Sequence, residues 1–80
     1  MVTIHREAGL QFVVYKDDHL PAHVHIYGGD GIAKIELAGR DGAPELISSR
    51  GISAGDLRRA VRIVKREQLA MLAHWSRIHG

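Results

Sequence analysis

His23-Val24-His25-Ile26-Tyr27-Gly28-Gly29-Asp30-Gly31-Ile32-Ala33-Lys34-Ile35-Glu36-Leu37 is the stretch that decides the fold. Polar and apolar residues alternate through both halves of it. That is the period of a strand, whose successive side chains point to opposite faces. Gly28-Gly29-Asp30-Gly31, between the halves, has the composition of a tight turn, because glycine reaches positive φ at no steric cost. A turn centred on Gly29-Asp30 sets Tyr27 opposite Ile32, Ile26 opposite Ala33, His25 opposite Lys34, Val24 opposite Ile35 and His23 opposite Glu36. One face of the hairpin is then Val24, Ile26, Ala33, Ile35 and Leu37, a core face. The other is His23, His25, Tyr27, Lys34 and Glu36. A slip by one residue would press histidine or lysine into the core, so the pattern fixes its own register.

Working outward, Met1–Arg6 reads as a short strand, and Ala8-Gly9 as a turn. Gln11–Lys16 reads as a second strand, rich in β-branched and aromatic residues. Asp17–Ala22 is a loop, since Asp-Asp opens a turn and Leu20-Pro21 disfavours helix. His23–Tyr27 and Ile32–Ala38 are the third and fourth strands, and Glu45–Ser49, after the loop Gly39–Pro44, is a short fifth. Ser53, with Asp56 three residues on, opens a helix that runs to about Ile78. At about 100° per residue, Leu57, Val61, Val64, Met71, Leu72, Trp75 and Ile78 gather on one side. Arg58, Arg59, Arg62, Lys65, Arg66 and Arg77 gather on the other, and Gln68 interrupts the apolar side. The expected fold is α+β: a small, mainly antiparallel sheet of four to five strands packed against one long C-terminal helix. It forms a single domain over residues 1–80, with strands over about 1–49 and the helix over about 53–78.

A domain of 80 residues builds a modest core, and chains of this size often lean on a partner, a metal or a second copy of themselves. Homo-oligomerisation is therefore one expectation. With no cysteine there is neither a disulfide nor a thiolate metal site. No apolar run is long enough to cross a membrane, and the N-terminus lacks a signal-peptide layout. These features lead to the expectation of a soluble cytoplasmic protein with no membrane role. The net charge of +2 does not by itself call for nucleic acid. Nucleophile elbow, P-loop and zinc-protease motifs are missing. Gly28–Gly31 precedes a strand instead of opening a helix, so it is a turn and not a phosphate cradle.

Chemistry concentrates on the histidine-bearing face. Three of the six histidines, His19, His23 and His25, fall within seven residues. Two imidazoles two positions apart on one strand, with Glu36 across the hairpin, make a two-histidine, one-carboxylate set of His23, His25 and Glu36. No cofactor is required by the composition, but a divalent metal is the one such a set could hold. Lys34 counts against it, because an ammonium beside a dication is unfavourable. The same face also reads as a simple polar binding surface, with His23 paired to Glu36 and with Asp18, His19, Tyr27 and Lys34 as contacts. A third reading is catalytic. His23 and His25 would be metal ligands or acid and base on a phosphodiester or RNA, and Lys34 would stabilise phosphate charge. The histidine-triad nucleotide hydrolases are a poor match, since Tyr27 stands at the third histidine position.

The final helix adds a basic face. Arg58, Arg62, Lys65 and Arg66 could contact nucleic-acid phosphates or an acidic protein partner, or simply face solvent. With only four aromatic residues (Phe12, Tyr15, Tyr27 and Trp75), a stacking platform for single strands is poorly supplied.

Asp18-His19-Leu20-Pro21-Ala22-His23-Val24-His25-Ile26, Gly29-Asp30-Gly31 followed by Ala33-Lys34-Ile35, and Ser49-Arg50-Gly51 leading into the basic helix resemble a small bacterial family, domain of unknown function 4160. The resemblance covers nearly the whole chain. Ala22 stands where members often carry a second proline before the middle histidine. The resemblance implies weight on His19, His23 and His25. It also implies a partner, a second small protein encoded next to this one, in a toxin–antitoxin-like pairing. It does not supply a reaction.

Overall fold

The computed structural model covers all 80 residues. Five strands form one antiparallel sheet in sequence order: β1 Val2–Glu7, β2 Leu10–Val14, β3 His23–Gly28, β4 Gly31–Glu36 and β5 Glu45–Arg50. Two helices follow, α1 Ala54–Arg66 and α2 Gln68–His79. The class is α+β, and no helix is long and apolar enough to cross a membrane.

The β3–β4 hairpin has the register its alternation demands. His23 faces Glu36, Val24 faces Ile35, His25 faces Lys34, Ile26 faces Ala33 and Tyr27 faces Ile32. Val24, Ile26, Ala33, Ile35 and Leu37 are buried and share one cluster with Leu10, Phe12, Val14 and the helices. Gly29 has φ 57, as a tight turn requires. Gly31 is needed for a different reason: a Cβ there would strike the backbone of Gly51 and Ile52.

The helical segment differs from the single long helix expected. It divides at Glu67, whose φ of −98° and ψ of 15° leave the helical region. Gln68, the first residue of α2, is tethered at this junction. Its side-chain amide donates to the Leu37 carbonyl at 2.7 Å and to the Gly42 carbonyl at 2.8 Å. A polar residue that interrupted the apolar stripe is thus spent on fastening the helix junction to the loop after β4. The buried face also differs in part from the expected one. Ala60, Ile63 and Val64 of α1 and Met71 and Trp75 of α2 enter the core. Leu57, Val61, Leu72 and Ile78, placed on the apolar side from sequence, are only partly buried against it.

Ser53 caps α1 by accepting the Asp56 N–H at 3.1 Å, satisfying one free amide of the first turn. At the other end of α1, the Arg66 guanidinium grips the Glu7 carboxylate of β1.

Candidate functional site

The site is built where the loop after β2 returns to start β3. Asp18 and Tyr15 clasp each other: the Asp18 N–H donates to the Tyr15 carbonyl at 3.1 Å, and the Tyr15 N–H donates to Asp18 Oδ2 at 3.0 Å. This turn holds the Asp18 carboxylate beside the first residues of β3. His23 is 5% exposed. Its Nδ1–H donates to the Pro21 carbonyl at 2.8 Å. A carbonyl only accepts, so the bond assigns a proton to Nδ1 and leaves Nε2 as the nitrogen that faces Asp18. His23 Nε2 lies 3.4 Å from Asp18 Oδ1, and His25 Nε2 lies 3.5 Å from Asp18 Oδ2. The His25 Nε2 atom is buried without a hydrogen-bond partner. One ligand-type atom from each of Asp18, His23 and His25 falls within 4.8 Å of the others.

Surrounding groups fix these side chains. The His23 and His25 rings meet edge to face with centroids 5.1 Å apart, and Trp75 of α2 lies 5.2 Å from the His23 ring. Tyr15 meets the other side of His25 edge-on at 4.9 Å. Its hydroxyl is hydrogen-bonded to that of Tyr27. That bond, with burial, pushes the Tyr15 phenol up to about 12. Burial pushes the Asp18 carboxyl up, but the Tyr15 N–H and the two imidazoles outweigh it and hold the group below its ordinary value. Burial lowers His25, and the neighbouring Asp18 charge only partly offsets it. A depressed imidazole is neutral near pH 7 and keeps a lone pair for a proton or a metal.

Two clefts flank the cluster and share Lys34. One, of about 330 Å³, is lined by His25, Lys34, Ser48, Ser49 and Arg50 among others. The other, of about 220 Å³, is lined by Asp18, His19, His23, Lys34 and Ile47 among others.

The residues singled out from sequence do not all converge. Glu36 faces His23 across the hairpin, yet its side chain makes no hydrogen bond or ion pair. The carboxylate beside the two imidazoles is Asp18. His19 is exposed at the rim of the smaller cleft. Tyr27 is engaged by Tyr15. Tyr15 and the Pro21 carbonyl were not foreseen as part of the site. A signal for Tyr15 existed: Val13 pairs with His25, so the residue two further on points to the same face.

The basic helix face forms a second feature. Leu57 and Val61, left at the border of the core, join the exposed Leu46 of β5 in the floor of a groove of about 500 Å³. Arg58, Arg62 and Lys65 line it. None of these three cations has an ion-pair partner within the chain, whereas Arg59 is paired with Asp56. Arg66 lies outside the groove lining and is engaged by Glu7 and Glu67. All six residues of β5, one of the two edge strands, are exposed.

An exposed edge strand, a carboxylate–imidazole cluster and a cationic groove are the surface features of this small α+β domain. Its family model is matched over residues 9–76, nearly the whole chain. The chain belongs to the family described as domain of unknown function 4160. No curated protein and no solved structure matches it.

Proposed function

We propose that this chain is the binding component of a two-protein, toxin–antitoxin-like module and that it docks a small acidic partner protein in the groove between α1 and β5. The observation that carries the reading is the groove itself: Leu46, Leu57 and Val61 between the unpaired cations Arg58, Arg62 and Lys65. An apolar floor with a single-signed rim suits an acidic amphipathic segment, because burial supplies affinity and charge supplies orientation and encounter rate. The unpaired hydrogen-bonding edge of β5 lies alongside it, and an extended partner segment can add to such an edge. The test is co-expression with the neighbouring gene product, followed by affinity measurement on the purified pair. Arg62→Glu with Lys65→Glu should abolish the complex while leaving the circular dichroism spectrum unchanged. Undiminished binding by that variant counts against the reading.

The cleft of His25, Lys34, Ser48, Ser49 and Arg50 supports a second reading, a histidine-dependent enzyme on a phosphodiester or RNA. Lys34 and Arg50 would hold phosphate, and His25 would move a proton. Loss of RNA turnover in His25→Ala would support it. A wild-type protein inactive on single-stranded RNA, with and without its partner, would remove it.

A further inference from the structure

We propose that Asp18, His23 and His25 form a binding site for one divalent cation of the zinc class, independent of the docking groove. Three observations converge on it. The first is distance. Bonds of about 2.0–2.1 Å at a tetrahedral cation place neighbouring ligand atoms about 3.3 Å apart. The two carboxylate–imidazole separations, 3.4 Å to Oδ1 and 3.5 Å to Oδ2, are close to this, and one ligand atom from each of the three residues falls within 4.8 Å of the others, so a modest inward shift of the side chains would bring the set onto one ion. A charge-assisted N–H···O bond closes to about 2.7–2.9 Å, and neither imidazole does so.

The second observation is the orphaned atom. His25 Nε2 is buried, unpartnered and aimed at a carboxylate. A cation held jointly with Asp18 would give this buried nitrogen a partner. The third is the support behind His23. Its Nδ1–H is fixed on the Pro21 carbonyl, which sets the tautomer and presents Nε2 as the ligand. A backbone carbonyl behind a ligating histidine is the usual outer-shell arrangement.

The set is two nitrogens and one oxygen, which suits zinc, iron or cobalt over calcium or magnesium. Asp18 and His23 also line the smaller cleft, so water can complete the coordination. Glu36 takes no part.

The test uses the untagged full chain, stripped with chelator and freed of it. Cobalt(II) serves as the spectroscopic probe, and zinc(II) is measured by calorimetry. We expect one ion per chain and the visible absorption of low-coordinate cobalt. His25→Ala and Asp18→Asn should each weaken binding by at least about tenfold, and Glu36→Gln should bind as the wild type does. In the wild-type protein, zinc should shift the Nε2 resonances of His23 and His25 and leave those of His5 and His74 in place. This readout needs no substitution and decides the question should a variant fail to fold. The proposal is overturned if the wild type takes up no stoichiometric ion, if the shifted resonances belong to other histidines, or if Glu36→Gln abolishes binding.

Discussion

The Asp18 carboxylate stands between the His23 and His25 imidazoles and is held there by Tyr15: Oδ2, which accepts the Tyr15 N–H at 3.0 Å, is the same oxygen that faces His25. Asp18 is thus both a structural acceptor and the charge that faces the imidazoles. The two roles separate by substitution. Asp18→Asn keeps an acceptor for the Tyr15 N–H and loses the charge, whereas Asp18→Ala loses both. We expect Asp18→Ala to destabilise the chain by about 1–3 kcal/mol in urea denaturation, the cost of a buried donor left unmade. Asp18→Asn should cost clearly less. Equal losses would mean that the clasp contributes nothing.

Lys34 sits across the hairpin from His25 and lines both clefts. Its charge opposes a cation at the cluster. At a partly solvated site this repulsion is on the order of 1 kcal/mol. Lys34→Gln should therefore tighten zinc binding by roughly three- to tenfold. The same change should weaken any phosphate held in the larger cleft. Opposite shifts for the two ligands, measured by calorimetry on one protein, would separate Lys34 as a deterrent to metal from Lys34 as an anion contact.

Gln68 is a second point where one side chain organises distant backbone. It fills both donor positions of its amide, on the Leu37 and Gly42 carbonyls. Gln68→Leu would restore a continuous apolar stripe on the helix, and on propensity alone it would be neutral or better. We expect it instead to cost about 1 kcal/mol, because the part-buried Leu37 carbonyl loses its donor, whereas the exposed Gly42 carbonyl can turn to water. Amide exchange over residues 37–43 should accelerate. A variant as stable as wild type, with unchanged exchange, would show that the junction at Glu67 does not depend on this tether.

Alternation, turn composition and helical period made most of the fold legible. The register from His23 to Leu37 could be read because each residue's face follows from its parity, and one face is apolar throughout. Glu36 looked like the site's carboxylate for the same reason: strand parity places it opposite His23. Asp18 could not be placed that way. Its position follows from the clasp with Tyr15, and a loop has no period to count. The helix division was visible only as an anomaly at Gln68, since its partners at Leu37 and Gly42 are remote in sequence. Arg66 is engaged by the adjacent Glu67 and by Glu7 of β1, and only the first of these can be read in the helix sequence.

Glycines of the β3–β4 turn separate conformational need from spatial need. Gly29 holds a positive φ with open space around it, whereas Gly31 has backbone packed against its α-carbon. Asparagine tolerates the left-handed region better than alanine. Gly29→Asn should therefore be nearly neutral, and Gly29→Ala should cost roughly 1–2 kcal/mol. At Gly31 both substitutions should be damaging, by about 1–3 kcal/mol or more, because Gly51 and Ile52 must be displaced. Rescue by asparagine at Gly31 would contradict the steric account. Melting temperatures of the four variants decide it.

Glu7 and Arg66 join the start of the sheet to the end of α1. The Arg66 guanidinium first, and the His5 side chain second, hold the Glu7 carboxyl down at about 2 from an ordinary value of 4.5. A carboxyl depressed in the folded state contributes stability that is fully present above its unfolded value. That contribution drains away as pH falls through the folded value. The window is therefore between about 4.5 and about 2. Both partners are substantially exposed, so salt should screen the effect and keep it small. Chemical denaturation across this range should show wild-type stability falling more steeply than that of Glu7→Gln at low salt. The two curves should converge at high salt and at the acid end. Parallel curves at low salt would mean that the pair is formed without holding the two elements together.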